Sequence, residues 1–226
     1  FVPVEYWTVE ALLNNGEIAF EADLWHVDGK KPKIDNEEQA KAIVEGMSST
    51  SFGIEKIEKK RQKRRPSAPF ITSTLQQEAS RKLSMPAAIT MRIAQQLYEG
   101  IEVDGEQSGL ITYMRTDSTN VAAEALDGAR TLIGERYGSE YLPKKPNTYK
   151  SARGAQEAHE AIRPTLLDQP PEALKDALTR DQFRLYRLIW NRFISSQMNP
   201  QELDITTATI SGGSYTLRAT ASVVAF

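Results

Sequence analysis

The hydrophobic pattern of this chain changes twice, from strand-like to helical and back to strand-like. Glu17–Val27 alternates apolar and polar residues, as strands with one buried face do. Between residues 67 and 197, apolar residues instead recur every three or four positions, which is typical of amphipathic helices. Alternation returns in Ile205–Ile210 and Tyr215–Val224, which flank a Gly-Gly turn signature. The sequence therefore predicts an α+β protein in which a mainly helical domain is inserted into a β-rich domain.

Two predicted boundaries separate a discontinuous β-rich domain, residues 1–66 and 198–226, from a helical domain, residues 67–197. The first boundary lies in Arg64–Pro69, where two prolines interrupt the pattern. Helices are predicted from Asn36 to Met47, Ser73 to Leu83, Pro86 to Gly100, Ala122 to Tyr137 and Asp181 to Met198. Further strands are predicted at Tyr6–Leu13 and Phe52–Lys60. The aromatic face of the last helix is predicted to be core, because helical spacing of apolar residues usually means packing.

Composition excludes several classes of protein. No apolar run approaches the roughly 20 residues needed to span a bilayer, and the first residues carry no basic-then-apolar export leader. The chain contains no cysteine, which removes disulfides, thiolate nucleophiles and cysteine-based zinc sites and suits the cytoplasm. The first residue is Phe1 rather than methionine, which hints at an excised fragment.

Charge is unevenly distributed, although the formal net charge is only −2. Residues 55–92 hold ten Lys or Arg against three acids, whereas residues 1–38 hold nine acids against three lysines. A basic stripe of this density neutralises several phosphates of a nucleic acid. The same stripe is typical of a solvated linker, so both interpretations stay open.

The most informative motif lies in Gly109–Ser118, which carries a tyrosine, an arginine and an aspartate at alternate positions. Leu110–Thr116 is predicted to form a short strand, whose side chains alternate between two faces. Tyr113, Arg115 and Asp117 would then share one face, and the residues between them would share the other.

A phenol beside a guanidinium has a chemical use. The reference pKa of tyrosine is about 10, so a tyrosine attacks poorly at neutral pH unless positive charge favours the phenolate. An arginine supplies that charge and also grips a phosphate oxygen as negative charge builds during displacement. Asp117 is placed to hold Arg115. Taken alone, a Tyr-x-Arg pair is also typical of a buried strand tyrosine beside a surface arginine.

A second motif runs from Gln156 to Thr165. If this segment is helical, His159 and Arg163 lie four residues apart on one face and present two cationic donors together. Pro164 disfavours helical geometry at the residue before it, so the helix is predicted to end there. The run resembles the zinc pattern His-Glu-x-x-His, but an arginine stands at the second ligand position, so no zinc site is predicted. The alternative is a structural role for His159, with its ring hydrogen-bonded at the end of a helix.

A third motif, Pro69–Ala79, is rich in hydroxyl and amide side chains. Ser73 and Gln76 have the spacing of a capping box at a helix start. Such a start is a natural phosphate seat, and it is equally an ordinary helix cap.

Together, three segments resemble the bacterial type IA DNA topoisomerase family: Ala68–Ala79, Leu110–Ser118 and Gln156–Pro164. Their order and approximate separation also match, and the resemblance extends over essentially the whole chain. Met114 is similar to the topoisomerase I branch, because topoisomerase III relatives more often carry proline between the tyrosine and the arginine.

The resemblance implies that Tyr113 is a nucleophile that cuts one DNA strand through a 5′-phosphotyrosine link, lets a strand pass and reseals the break, relaxing negative supercoils. Arg115 and His159 match the family's residues that hold the scissile phosphate. The supporting residues are Asp117, Arg163, Lys82 and Thr112. No nucleotide cofactor is implied, since the bond energy stays in the covalent intermediate, and the sequence has no Gly-x-x-x-x-Gly-Lys-Ser/Thr loop. In the family, a helical domain bearing the tyrosine sits on a β-rich arch (domains III and II), which would be incomplete here.

The family's Toprim domain, whose Asp-x-Asp-x-Glu cluster binds magnesium, has no counterpart in this sequence. Magnesium needs converging carboxylates, so we expect no metal site in this chain and Mg²⁺ only in the full-length enzyme. We expect the fragment alone to be inactive in relaxation. The implied partner is single-stranded or locally melted DNA in the cytoplasm, at the bacterial nucleoid, with no membrane involved.

Other tyrosine-based enzymes fit less well. Tyrosine recombinases and type IB topoisomerases place their tyrosine near the C-terminal end after His-x-x-Arg, whereas Tyr113 precedes a His-x-x-x-Arg. Type II enzymes place an arginine directly before the tyrosine, where Thr112 stands. A non-catalytic single-stranded DNA-binding module that uses the basic stripe is the alternative.

Overall fold

The computed structural model describes residues 2–14, 16–103, 105–150 and 159–226. The chain divides into two compact units, a β-rich unit of residues 1–64 and 201–226 and a helical unit of residues 65–200. The helices and strands are β1 Glu10–Asn14, β2 Ala19–Val27, α1 Glu37–Ser48, β3 Gly53–Arg64, α2 Thr72–Leu83, α3 Ala87–Glu99, β4 Ile101–Val103, β5 Glu106–Ser108, α4 Ala123–Arg136, α5 Arg180–Ser196, β6 Gln201–Gly212 and β7 Tyr215–Val224. The predicted α+β class is confirmed. None of the described helices is long and apolar enough to cross a membrane.

The β-rich unit is built on a five-stranded sheet in the order β1-β2-β7-β6-β3, in which all neighbouring strands are antiparallel. Helix α1 contributes Ala40 and Met47 to the buried core of this unit, where they join Ile210 of β6 and Leu217 of β7. Asn36 caps α1 as predicted, because its side-chain oxygen accepts a hydrogen bond of 2.9 Å from the backbone N–H of Gln39.

Strand β3 is longer than predicted and forms an edge of the sheet with all its residues exposed. Its charged side chains are partly satisfied by carboxylates of β6. Arg61 donates two hydrogen bonds of 2.8 Å to Asp204, and Lys63 lies 2.8 Å from Glu202. These cross-strand pairs continue the ladder to Arg64, beyond the point where apolar alternation ends.

The helical unit has its own core, to which all four of its helices contribute. Helix α5 is the most deeply packed, and the predicted aromatic face is confirmed as core because Tyr186, Trp190 and Phe193 are buried. Burial raises the pKa of the Tyr186 phenol, and the charge of Asp168 adds to that effect. An ion pair between Arg192 of α5 and Glu78 of α2 ties the two helices together.

Three local predictions were wrong. Strand β1 begins at Glu10 rather than Tyr6, and the short hairpin β4–β5 was not predicted. Helix α2 begins at Thr72, and its first turn is capped by Thr74, whose hydroxyl accepts a hydrogen bond of 3.0 Å from the Ile71 N–H. The capping box predicted at Ser73 is wrong, because the helix begins two residues earlier, with Ile71 as its N-cap.

Candidate functional site

The segment that carries Tyr113 is an irregular loop with bends at Thr112, Met114 and Arg115, so the strand predicted for Leu110–Thr116 is wrong. Its one strand-like pair is an isolated bridge between Ile111 and Pro164. The expected alternation of exposure is nevertheless present: Tyr113 is 43% exposed, whereas the next residue, Met114, is fully buried. Arg115 is exposed in turn. A β-ladder needs a neighbouring strand, and among the described residues no strand pairs with this segment.

Thr112 fixes one end of this segment. Its hydroxyl donates a hydrogen bond of 2.6 Å to the carbonyl of Ala161 and accepts one of 3.0 Å from the N–H of Arg163. Its own N–H donates to the carbonyl of Arg163 at 2.9 Å. Thr112 therefore connects the Tyr113 segment to the His159 segment through the backbone.

Thr72, the first residue of α2, fixes the other end. Its hydroxyl donates to the carbonyl of Met114 at 2.7 Å and accepts from the N–H of Thr116 at 2.9 Å. The backbone N–H of Thr72 also donates to the carbonyl of Thr116, at 2.9 Å. These bonds close around Arg115 and hold its backbone against the start of α2.

The segment around His159 is extended where the structure describes it, so the predicted helix is wrong over residues 159–165. Residues 156–158 lie outside the described residues. Ile162 bridges to Phe70, and Pro164 bridges to Ile111. These pairings occupy the backbone groups that a helix would need, and Pro164 disfavours helical geometry at Arg163.

Three aromatic rings meet at Tyr113. The centroid of the His159 ring lies 6.3 Å from that of Tyr113 at an interplanar angle of 75°, and the Tyr98 ring lies 5.4 Å away at 64°. Both are edge-to-face contacts, which orient a ring without covering it. Among the described residues the Tyr113 hydroxyl has no hydrogen-bond partner. The phenol oxygen is therefore free to bond to another molecule.

A cleft of about 470 Å³ lies beside this aromatic group. Arg115 and His159 line it together with Asp117, Thr116 and the start of α2. Arg115 has no ion pair within the described part of the chain. The first N–H groups of a helix and its dipole also favour negative charge. A guanidinium, an imidazole and a helix N-terminus thus converge on one open cleft, which suits a phosphate group.

Some predicted residues are not placed as expected. Asp117 lines the cleft but forms no ion pair with Arg115, so the prediction that it holds the arginine is wrong. Arg163 does not join His159: its side chain is only 13% exposed and pairs with Glu160 at 2.7 Å. The carboxylate of Glu160 also accepts a hydrogen bond from the backbone N–H of Ala122, just before α4. Because Glu160 is held there, its ion pair keeps the Arg163 side chain away from the cleft.

Lys82 lies away from the cleft, because it follows Thr72 by ten residues along α2, or about 15 Å. It pairs with Glu78 at 2.8 Å and lines a different groove.

Sequence reasoning missed the part played by Tyr98 and Gly109. A Cβ atom on Gly109 would lie only 2.7 Å from the backbone oxygen of Tyr98. The N–H of the following residue, Leu110, donates to the carbonyl of Leu97 at 2.7 Å. Glycine therefore allows the Tyr113 segment to pass close to the end of α3, which brings Tyr98 against Tyr113. The glycine beside the motif was a signal that could have indicated this close approach.

Within the described ranges, no three His, Asp or Glu side chains group closely enough to hold a metal ion.

Comparisons with known proteins identify the family. The model of the DNA topoisomerase family matches residues 1–226. DNA topoisomerase 1 of Rickettsia bellii is 46% identical over all of this chain, and that of Haemophilus influenzae is 44% identical. The chain spans 29% and 25% of their lengths, respectively. The structure of full-length topoisomerase I from Thermotoga maritima matches with a TM-score of 0.77 and 37% identity, over 100% of this chain and 35% of that one. These findings confirm the resemblance drawn from the motifs, and the chain belongs to the type IA DNA topoisomerase family.

Proposed function

We propose that this chain is the tyrosine-bearing central part of a DNA topoisomerase I. The proposed enzyme cuts one DNA strand through Tyr113, passes a strand through the break, and reseals it to relax negative supercoils. The observation that carries the proposal is the exposed Tyr113 phenol beside a cleft lined by Arg115, His159 and the start of α2. In this proposal the helical unit is the family's tyrosine-bearing domain, and the β-rich unit is part of its arch.

The proposed cleavage is a displacement at phosphorus. The phenol of Tyr113 gives up its proton as its oxygen bonds to the phosphorus atom, and the bond from phosphorus to the 3′ oxygen breaks. That oxygen leaves as a hydroxyl after taking up a proton, so one proton is released and one is taken up. The reverse reaction reseals the strand. Arg115, His159 and the dipole at the N-terminus of α2 stabilise the negative charge that builds on the phosphate oxygens. The free energy of the phosphodiester stays in the phosphotyrosine bond, so the cycle needs no nucleotide cofactor.

Thr112 and Thr72 act as positioning residues in this proposal. They bind the backbone on either side of Tyr113 and Arg115, and they connect it to the segment of His159 and to α2. A displacement reaction depends on reacting groups held within a few tenths of an ångström, which such backbone bonds provide.

We further propose that Mg²⁺ is supplied by a Toprim domain elsewhere in a longer polypeptide. The partner is single-stranded or locally melted DNA, and the place of action is the cytoplasm at the nucleoid. No membrane partner is proposed.

An end-label experiment tests the chemistry. The protein is mixed with a single-stranded oligonucleotide labelled at its 3′ end, or in a parallel sample at its 5′ end, and the products are resolved under denaturing conditions. We expect the 3′ label to stay on the protein and the 5′ label to be released on a fragment with a 3′ hydroxyl. Tryptic mass spectrometry should place the link on Tyr113. Retention of the 5′ label, or a link at another residue, would contradict the proposal.

We expect this chain alone not to relax supercoiled plasmid in the presence of Mg²⁺. No three His, Asp or Glu side chains group together among the described residues, and the chain spans only 25–29% of the length of the two DNA topoisomerase 1 relatives. Agarose gel electrophoresis of plasmid topoisomers measures the result. Efficient relaxation by the purified chain would show that the missing regions are dispensable.

The non-catalytic binding module is less well supported. The basic stripe of residues 55–92 is divided between the β-rich unit and the helical unit, and several of its cations are taken up by neighbouring carboxylates. The pairs are Lys56 with Glu58, Arg61 with Asp204, Lys63 with Glu202, and Lys82 with Glu78. Binding to an oligonucleotide without any covalent product would support the module instead.

A further inference from the structure

A second groove in the helical unit is strongly basic. It has a volume of about 370 Å³ and lies between α2 and α5, toward the C-terminal end of α2. We call this the basic groove, and its polar lining includes Lys82, Arg184, Arg187, Asn191, Arg192 and Ser195. Among its lining residues the single carboxylate is Glu78, so four cations face one anion.

The cations of the basic groove are held in place before any ligand arrives. Arg184 donates a hydrogen bond of 2.7 Å to the carbonyl of Leu83 at the end of α2. The guanidinium of Arg187 lies 5.3 Å from the centre of the Phe183 ring and has no ion pair among the described residues. Ordered donors lose little conformational entropy on binding, which favours capture of an anion.

The spacing of the donors suits an extended polyanion rather than a single ion. Arg184, Arg187, Asn191 and Ser195 recur every three or four residues and therefore lie along one face of α5. From the first to the last, this face runs eleven residues, or about 16 Å. Nucleic-acid phosphates follow one another at about 3.4 Å of rise along a helical strand, so this length spans several of them.

The lining also indicates which part of a nucleic acid is recognised. The residues that line the basic groove include no aromatic ring on which a base could stack. Arginine, lysine, asparagine and serine donors instead suit phosphate oxygens. Arg192 and Lys82 share Glu78, and Arg184 lies 3.3 Å from Asp181, which leaves Arg187 as the most available charge.

We propose that the basic groove binds the sugar-phosphate backbone of a single DNA strand, as a contact surface separate from the cleavage cleft at the other end of α2. This assignment rests on the proposed function only in taking DNA as the polyanion. An acidic protein segment would also pair with the planar guanidinium groups, which match carboxylates as well as phosphates, so competition with polyglutamate separates the two occupants.

Fluorescence anisotropy with a labelled 20-nucleotide oligo(dT) tests the proposal. Arg187→Glu and, at the far end of the groove, Ser195→Glu are each expected to weaken binding at least about fivefold at low salt. Arg187→Glu should also reduce the slope of log K against log salt by about 0.7, as expected for one lost phosphate contact to a single strand. Lys144→Glu is the matched control, because this exposed lysine of the same unit lies outside the groove. Its affinity should stay within about twofold of the unmodified chain.

Circular dichroism and unfolding curves of the three variants exclude a loss of fold as the cause. Unchanged affinity in both groove variants would overturn the proposal, as would equal competition by polyglutamate and oligonucleotide at the same charge concentration. The readout is separate from catalysis, because anisotropy reports binding of the oligonucleotide and not its cleavage. A missing covalent adduct with the unmodified chain would contradict the proposed function without contradicting the groove.

Discussion

Replacing Tyr113 with phenylalanine is expected to reduce covalent capture of the oligonucleotide at least about 1000-fold, to below detection. The change removes the oxygen atom that bonds to phosphorus and leaves the ring. The Tyr113 hydroxyl has no hydrogen bond among the described residues, and the edge-to-face contacts with Tyr98 and His159 do not involve it. Stability should therefore change by less than about 0.5 kcal/mol. The measurement is the amount of 3′ label retained on denatured protein.

Tyr137→Phe is the matched control for this result. Tyr137 belongs to the same helical unit, is 39% exposed, and packs edge-to-face against Tyr141, so it resembles Tyr113 in exposure and in aromatic contact. Covalent capture by this variant should equal that of the unmodified chain. A full yield of adduct from Tyr113→Phe, or its loss from Tyr137→Phe, would mean that a different nucleophile cuts the strand.

Replacing Arg192 with methionine is expected to destabilise the helical unit by about 3 kcal/mol. The side chains of Arg192 and Glu78 are 14% and 13% exposed, so their ion pair is largely shielded from water. Arg192 also donates a hydrogen bond of 3.1 Å to the carbonyl of Ala68 and lies 4.3 Å from the centre of the Phe70 ring. Methionine keeps much of the volume but leaves the Glu78 carboxylate with Lys82 as its main partner. Urea unfolding followed by circular dichroism measures the loss.

Lys82→Met is the control for the buried pair, because Lys82 is 61% exposed and contacts the same carboxylate. This substitution should lower the free energy of unfolding by less than about 1 kcal/mol. Equal losses of stability in both variants would show that the burial of Arg192 does not strengthen its ion pair with Glu78.

The Arg192 prediction also has a pH dependence. Burial alone would raise the pKa of Glu78, but hydrogen bonds and charges from Lys82 and Arg192 outweigh it and hold the pKa below its ordinary value. A carboxyl whose pKa is lowered by folding adds stability above its unfolded pKa of about 4.3, and this stability is lost as pH falls through the folded value. Below pH 4 the difference in the free energy of unfolding between the unmodified chain and Glu78→Gln should therefore shrink. A difference that stayed constant down to pH 3 would contradict this assignment.

The sequence predicted those parts of the fold that depend on local patterning. Helix α5 was found because its aromatic residues recur at helical spacing along one continuous segment. The sequence also predicted that Tyr113 and Arg115 share one face with Met114 on the other, and their burial alternates in this way although the predicted strand was wrong. The end of β3 was missed because cross-strand pairs such as Arg61 with Asp204 join residues 143 positions apart.

The parts of the candidate site that were not predicted depend on contacts between distant segments. Local composition around His159 favours a helix, but pairing with Phe70 and Ile111 holds the segment extended. Thr112 bonds to a residue 49 positions away, and Thr72 to one 42 positions away. A single threonine carries no sign of such a partner, so these positioning bonds could be found only in three dimensions.

The way Tyr113 is anchored determines how much of the chain must fold before the site forms. Its segment is tied at one end to the beginning of α2 and at the other to residues that follow α4, so no short stretch of chain can set the nucleophile in place by itself. Under the function proposed above, a nascent molecule whose helical unit has not folded would therefore lack the arrangement that cuts a DNA strand.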